Sequence, residues 1–192
     1  MSINKDINQA SDQELLAIGD ADSFSILYQR HSDALYRYAL MVSGVQSIAE
    51  DATQNSFMLM IERVNSFDGQ RSSSARGWLY GFVRNSVRQL VRNSSKLVSM
   101  VEPVDFSQSA DRLIELKGMA EDIVIAIGRL SLEQREVIVL CGLQEVDYLN
   151  ASKILDIPLG TVRSRLSRAR QNLMNALPNR HDLVSEEAQY EL

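Results

Sequence analysis

One cysteine, two histidines and three prolines in 192 residues leave several chemistries without material. Cys141 by itself cannot build an internal disulfide framework or a cysteine zinc cluster. It lies in the apolar run REVIVLCGL and reads as a small core residue. His31 and His181 are far apart, and neither has a metal-ligand partner at i+3 or i+4. Aromatics make up 6% of the chain and glycines number nine. So few turn-formers favour helices over a many-stranded sandwich or barrel. No apolar stretch approaches the roughly 18 residues that a membrane span needs, and the polar N-terminus does not read as a signal peptide. A soluble, cytoplasmic protein is expected. Enough apolar material remains to build a core, at 45% of residues.

The net charge of −5 hides a segregation. Residues 69–101 carry Arg71, Arg76, Arg84, Arg88, Arg92 and Lys96 and no acid. Residues 157–181 carry five bases and no acid, whereas residues 102–122 carry six acids and two bases. The first 70 residues hold ten acids against four bases, and the last eleven hold four acids and no base. Two basic blocks on an acidic body suggest two polyanion-binding surfaces.

Periodicity near 3.6 residues predicts helices throughout. Ser11-x-x-Glu14 has capping-box spacing and begins the first, with Gly19 as its stop. SFSILYQRHSDALYRYALMV and SIAEDATQNSFMLMIERV read as the second and third, the latter with acids in its first turn. NSFDGQRSSSARG is a loop, and GWLYGFVRNSVRQLVRN the fourth helix. Residues 94 to about 110 lack sustained periodicity and read as a linker. A second helical set follows, with Ser131-x-x-Gln134 as another capping box and Asp147 capping a short helix. No strand alternation is present. The expected fold is all-α, two small helical domains joined by a flexible linker.

The segment from about 147 to 173 has the shape of a helix-turn-helix: a short helix, a turn at Ile157–Gly160 and a basic helix. At about 100° per residue, Val162, Leu166, Ala169 and Leu173 form one inward stripe. Ser164, Ser167, Arg168 and Gln171 lie opposite with Arg163 beside them, and Arg165 and Arg170 flank the stripe. That layout suits a recognition helix, with polar groups toward base edges and flanking arginines toward phosphates. The plain alternative is a solvated arginine face, but no acid is present there for i,i+4 pairing.

In the first basic block, Trp78, Leu79, Phe82, Val83, Val87 and Leu90 form an apolar face. Arg84, Arg88 and Arg92 recur at i, i+4 and i+8 on the other side, next to Asn85, with no acid nearby in sequence to neutralise them. A basic helix after a polar loop suits single-stranded or melted nucleic acid. For Trp78 and Tyr80 the plainer reading is core.

These residues bring a family into view. The motifs AEDATQNSF (49–57), RGWLYGFVRNSVRQLVR (76–92), LSLEQREVIVL (130–140) and IPLGTVRSRLSRAR (157–170) stand in fixed order. With them, the chain resembles a group 4, extracytoplasmic-function (ECF) bacterial RNA polymerase sigma factor of the sigma-70 family over about residues 12–177. The resemblance implies region 2 at 1–93, a linker at 94–112, region 4 at 113–177 and an acidic tail at 178–192. It implies that Glu50, Asp51, Gln54, Asn55, Phe57 and Met58 dock on the clamp of the polymerase beta-prime subunit. It implies that Phe67, Arg71, Arg76, Arg84, Asn85, Arg88 and Arg92 melt and read the −10 element. Thr161, Arg163, Ser164, Arg165, Ser167, Arg168 and Arg170 would read the −35 element. The partners implied are core RNA polymerase (beta-prime clamp and beta flap), promoter DNA and an anti-sigma factor, with no cofactor, no metal, no membrane insertion and no catalysis by the chain itself.

Three departures stand out. Asn55 replaces the family's Glu after Gln54, Ala151-Ser152 replaces Ile-Ala, and Glu145-Val146-Asp147-Tyr148 replaces Gly-Leu-Ser-Tyr at the entry to the helix-turn-helix. The competing reading is a stand-alone helix-turn-helix regulator, which leaves the first basic block and the docking helix without a role. An enzyme acting on nucleic acid would need clustered carboxylates, and Glu50 and Asp51 point some 100° apart on a helix.

Overall fold

A computed structural model describes residues 7–67, 74–97 and 121–177. Arg71, most of the expected linker, residues 113–120 and the acidic tail lie outside the described residues. Eight α-helices make up the described chain, with no strand among the described residues.

The first four form one bundle. α1 (Asp12–Ile18) starts on the expected capping box, with both the Ser11 and the Glu14 side chains bonded back to the backbone, and ends at Gly19 in the left-handed region. α2 (Ala21–Ser43) is capped by Asp20, and α3 covers Gln46–Arg63. Because α3 begins at Gln46, Glu50 and Asp51 fall in its second turn, and its first turn holds no acid. α4 runs from Ala75 to Leu97, past the boundary expected at 93, so the first residues assigned to the linker are helical. Leu27, Leu35 and Tyr38 of α2 meet Ala49, Ala52 and Met60 of α3 and Leu79, Val83 and Val87 of α4, all fully buried. Each large apolar side chain so buried contributes about 1.5–3 kcal/mol.

The second set is α5 (Glu121–Gly128), α6 (Leu132–Ile138), α7 (Tyr148–Leu155) and α8 (Leu159–Ala176). Ser131 and Gln134 close the second capping box at the start of α6. The helix then widens into one π turn over Val139–Leu143, ended by Gln144 N–H donating to the Val139 carbonyl. The chain turns at Glu145, whose φ of 53° is left-handed. Glycine takes that conformation without strain, and the resemblance has glycine at this position.

Between α7 and α8, Asp156 is also left-handed, at φ 50°. Ser152 ties this turn: its hydroxyl donates to the Ile157 carbonyl at 2.6 Å, and Ile157 N–H donates back to the Ser152 carbonyl at 3.1 Å. The departure at 151–152 is therefore absorbed twice, since Ala151 is fully buried and Ser152 turns a packing position into a hydrogen-bonded one.

The two sets pack against each other. α4 lies on α7, and α2 on α5 and α6, so that the buried apolar residues of both form one continuous cluster.

Candidate nucleic-acid interface

α8 presents the layout its sequence predicts. Val162, Leu166 and Ala169 are buried, with Leu173 packed against the core. Arg163, Ser164, Ser167, Arg168 and Arg170 are exposed, and Thr161 and Arg165 are half-buried. No ion pair engages these four arginines among the described residues. Arg163, Ser167, Arg170 and Met174 line a groove of about 540 Å³ that Tyr148 closes at the start of α7. Below it, Cys141 is half-buried, and burial pushes its thiol up to about 11, away from reactive thiolate chemistry.

The face of α3 is equally open. Glu50, Asp51, Gln54, Asn55 and Met58 are exposed, and Ile61 extends the same side at 50% exposure. Gln46 donates to Glu50 at 2.6 Å. Phe57 is different: it is 6% exposed and stacks at 4.8 Å on the Tyr28 ring, so it positions the helix from beneath.

The basic face of α4 corrects one expectation. The arginine stripe has an acid against it after all, supplied by α6. Arg88 donates to Glu136 twice, Nε to Oε1 at 2.6 Å and Nη2 to Oε2 at 2.8 Å. Arg84 Nε donates to the same Oε1 at 3.1 Å. Glu133 stands 3.8 Å from Arg88. The Glu136 side chain is 1% exposed, so this pair is desolvated on its acidic side. Sequence proximity could not reveal it, because 48 residues separate Arg88 from Glu136. Arg92 and Asn85 remain exposed.

Around this pair the seam is polar. Arg76 donates to the Gln144 carbonyl at 2.9 Å and lies over the Tyr80 ring at 5.6 Å. Tyr80 donates to the Gln144 side-chain oxygen at 2.8 Å. Arg135 of α6 donates to the Val42 carbonyl of α2 at 2.8 Å, and burial lowers the pKa of its guanidinium. Tyr38 packs edge-on against Tyr80 at 5.4 Å, and its buried hydroxyl has no hydrogen-bond partner among the described residues. Burial, reinforced by the Glu136 charge, holds the Tyr38 phenol well above its ordinary pKa. Trp78 is half-buried between Phe67, at 5.2 Å, and Phe82, at 4.7 Å. Three aromatic rings thus pack in sequence beside the start of α4.

Glu136, Gln144 and Tyr80 were not singled out by the sequence as site residues. Only the pairing of a buried acid with a basic face could have flagged Glu136, and that needs the tertiary arrangement.

These two modules, a basic helix with an aromatic base and a helix-turn-helix, match two known units in the same order. The sequence model for sigma-70 region 2 matches residues 27–97, and that for sigma-70 region 4 matches residues 121–173. The class is thus the sigma-70 factor. SigM of Bacillus subtilis, an ECF RNA polymerase sigma factor, is 31% identical over 160 residues, covering 80% of this chain and 94% of that protein. SigE of Mycolicibacterium smegmatis is 29% identical over 161 residues, 81% of this chain, and the aligned part spans 62% of that protein's length. Among solved structures, RpoE in complex with the anti-sigma factor NepR from Bartonella quintana superposes with a TM-score of 0.66 at 26% identity, covering 81% of this chain and 97% of that one. The chain belongs to the ECF family of RNA polymerase sigma factors. No described helix is long and apolar enough to cross a membrane.

Proposed function

We propose that this chain binds core RNA polymerase through the outer face of α3, directs it to promoters and helps to melt the −10 element. In this reading Glu50, Asp51, Gln54, Asn55 and Met58 meet the beta-prime clamp, with Ile61 widening the apolar part of the contact. The helix-turn-helix reads the −35 element in the duplex, Arg163, Ser164 and Arg168 facing bases while Arg165 and Arg170 hold phosphates. Arg76, Arg84, Asn85, Arg88 and Arg92 hold the backbone of melted −10 DNA. The Phe67–Trp78–Phe82 stack forms the floor against which an extruded base would rest. The polymerase does the chemistry. An anti-sigma factor is a fitting regulator, because the RpoE relative was solved bound to one.

The observation that carries this reading is the exposed, unpaired arginine face of α8, which follows an α3 whose opposite exposure is acidic and apolar. Two weak surfaces with different partners gain strength by being tethered to one large assembly. The test is run-off transcription with purified core polymerase on fragmented DNA from the source organism. New transcripts sharing upstream elements are expected when the chain is added. Binding to duplex DNA without binding to core polymerase would replace this reading with the stand-alone regulator.

A further inference from the structure

The groove beside α8 combines apolar surface with positive charge. Tyr148, Leu166 and Met174 line it together with Arg163 and Arg170. Met174 is 77% exposed, and residues 157–181 hold no acid that could neutralise the two arginines from within the helix. Such a surface fits a ligand that is both apolar and anionic, because a guanidinium group takes a carboxylate in a forked contact while the groove takes a side chain. One segment of this chain has that chemistry and starts at the groove. α8 ends at Ala176, just past the lining residues Met174 and Asn175, and Leu177 leaves it with extended backbone at φ −83° and ψ 137°. Residues 178–192 follow, beyond the region 4 match that stops at 173. They interleave Asp182, Glu186, Glu187 and Glu191 with Leu183, Val184, Tyr190 and Leu192, and carry no lysine or arginine after Arg180. The other acid-rich segment, 102–122, holds two bases as well and joins the fold at the start of α5, which contributes nothing to the groove. Reach is ample. Arg163 lies about 21 Å back along α8 from Leu177 at 1.5 Å per residue, and a run of this length spans up to about 50 Å.

We infer that residues 182–192 dock in this groove, with carboxylates on Arg163 and Arg170 and apolar side chains against Tyr148, Leu166 and Met174. The segment then covers part of the face proposed to read the −35 element and competes with duplex DNA for the same guanidinium groups. The competition, unlike the docking, rests on the proposed role of those arginines in DNA binding. A short tether holds the segment at an effective concentration of about 1 mM. A segment that binds with a Kd of about 0.1–0.5 mM then covers the groove most of the time and weakens DNA binding about three- to tenfold.

The test uses the full chain, nitrogen-15 labelled, with a nitroxide on Gln189→Cys in a Cys141→Ser background, or Cys141→Ala should the serine variant unfold. The amides of Tyr148, Ser167 and Gln171 should broaden, and a saturating mixed-sequence DNA duplex should restore them. Leu183→Ser with Tyr190→Ser keeps every charge, so a change in DNA binding cannot come from net charge. This pair should abolish the broadening and tighten binding of the fluorescent duplex, read by anisotropy, about three- to tenfold. Absence of broadening in the folded chain would overturn the docking and leave the transcription reading standing. Broadening of the nitrogen-15 chain by a nitroxide carried on a second, unlabelled chain, with none within one chain, would overturn it in favour of contact between copies. Broadening that persists under saturating duplex would overturn the competition together with the assignment of Arg163 and Arg170 to DNA.

Discussion

Arg88 and Glu136 share two hydrogen bonds of 2.6 and 2.8 Å across the seam between the two helical modules. Exposed ion pairs contribute about 0–1 kcal/mol, and this one should exceed them, because the carboxylate is 1% exposed and the contact is forked. A double-mutant cycle of Arg88→Gln and Glu136→Gln, read by urea denaturation, should give a coupling of about 1–2 kcal/mol. Arg84 remains in every arm and keeps Glu136 neutralised, which limits the penalty of a stranded charge. A coupling below about 0.3 kcal/mol would mean the pair is as weak as a solvated one.

The left-handed Glu145 yields a prediction of the opposite sign. A side chain at φ 53° costs about 1–2 kcal/mol relative to the right-handed regions, and glycine escapes that cost. Part of the gain is offset by the greater freedom of glycine in the unfolded chain. Glu145→Gly should therefore stabilise the protein by about 0.5–1 kcal/mol, seen as a higher urea midpoint with unchanged slope. A lower midpoint would show that the Glu145 side chain makes a contact worth more than its strain.

Acid should loosen the N-terminus of the bundle. Asp12 accepts from His31 at 2.7 Å and from Arg30 at 2.9 Å, and Arg30 also donates to the Ala10 carbonyl. The His31 hydrogen bond is the main cause that holds the Asp12 carboxyl below its ordinary pKa of 3.8, with Arg30 adding to it against the opposing effect of burial. A carboxyl with a depressed folded pKa stabilises fully above its unfolded value, and that stability drains away as pH falls toward the folded one. Stability measured from pH 6 down to pH 2 should fall below about pH 4, and Asp12→Asn should flatten that fall while lowering stability at neutral pH. An identical acid limb in Asp12→Asn would assign the loss to other carboxylates.

Much of this architecture was legible in the chain. Ser11, Ser131 and Asp147 cap helices because their oxygens satisfy amides three residues on, which is a local rule. The inward stripe of α8 follows from 3.6-residue periodicity alone. Helix ends were less legible: α4 continues to Leu97 because nothing in RNSSKL breaks a helix outright. The state of the α4 arginines could not be read locally. Charge within one helix says nothing of an acid that tertiary packing brings from α6, and the burial of Phe57 under Tyr28 has the same origin.

The arginines of α8 should divide by role. Arg168 is exposed opposite the buried stripe, where a recognition helix meets base edges, while Arg170 flanks the groove beside Tyr148 and Met174. A forked contact to guanine discriminates by about 1–3 kcal/mol at one base pair, whereas a phosphate contact carries no sequence information. With holoenzyme assembled on duplexes randomised over the −35 element, Arg168→Ala should relax preference at a single position, roughly 5- to 150-fold in relative affinity. Arg170→Ala should weaken all sequences alike and reduce the salt dependence of binding by about one counterion. The difference follows from geometry alone, since both residues are arginines on one helix with no ionic partner among the described residues. If both variants weakened every sequence equally, the outer face of α8 would be a backbone clamp, and the sequence preference of the −35 contact would have to lie in Ser164 and Ser167.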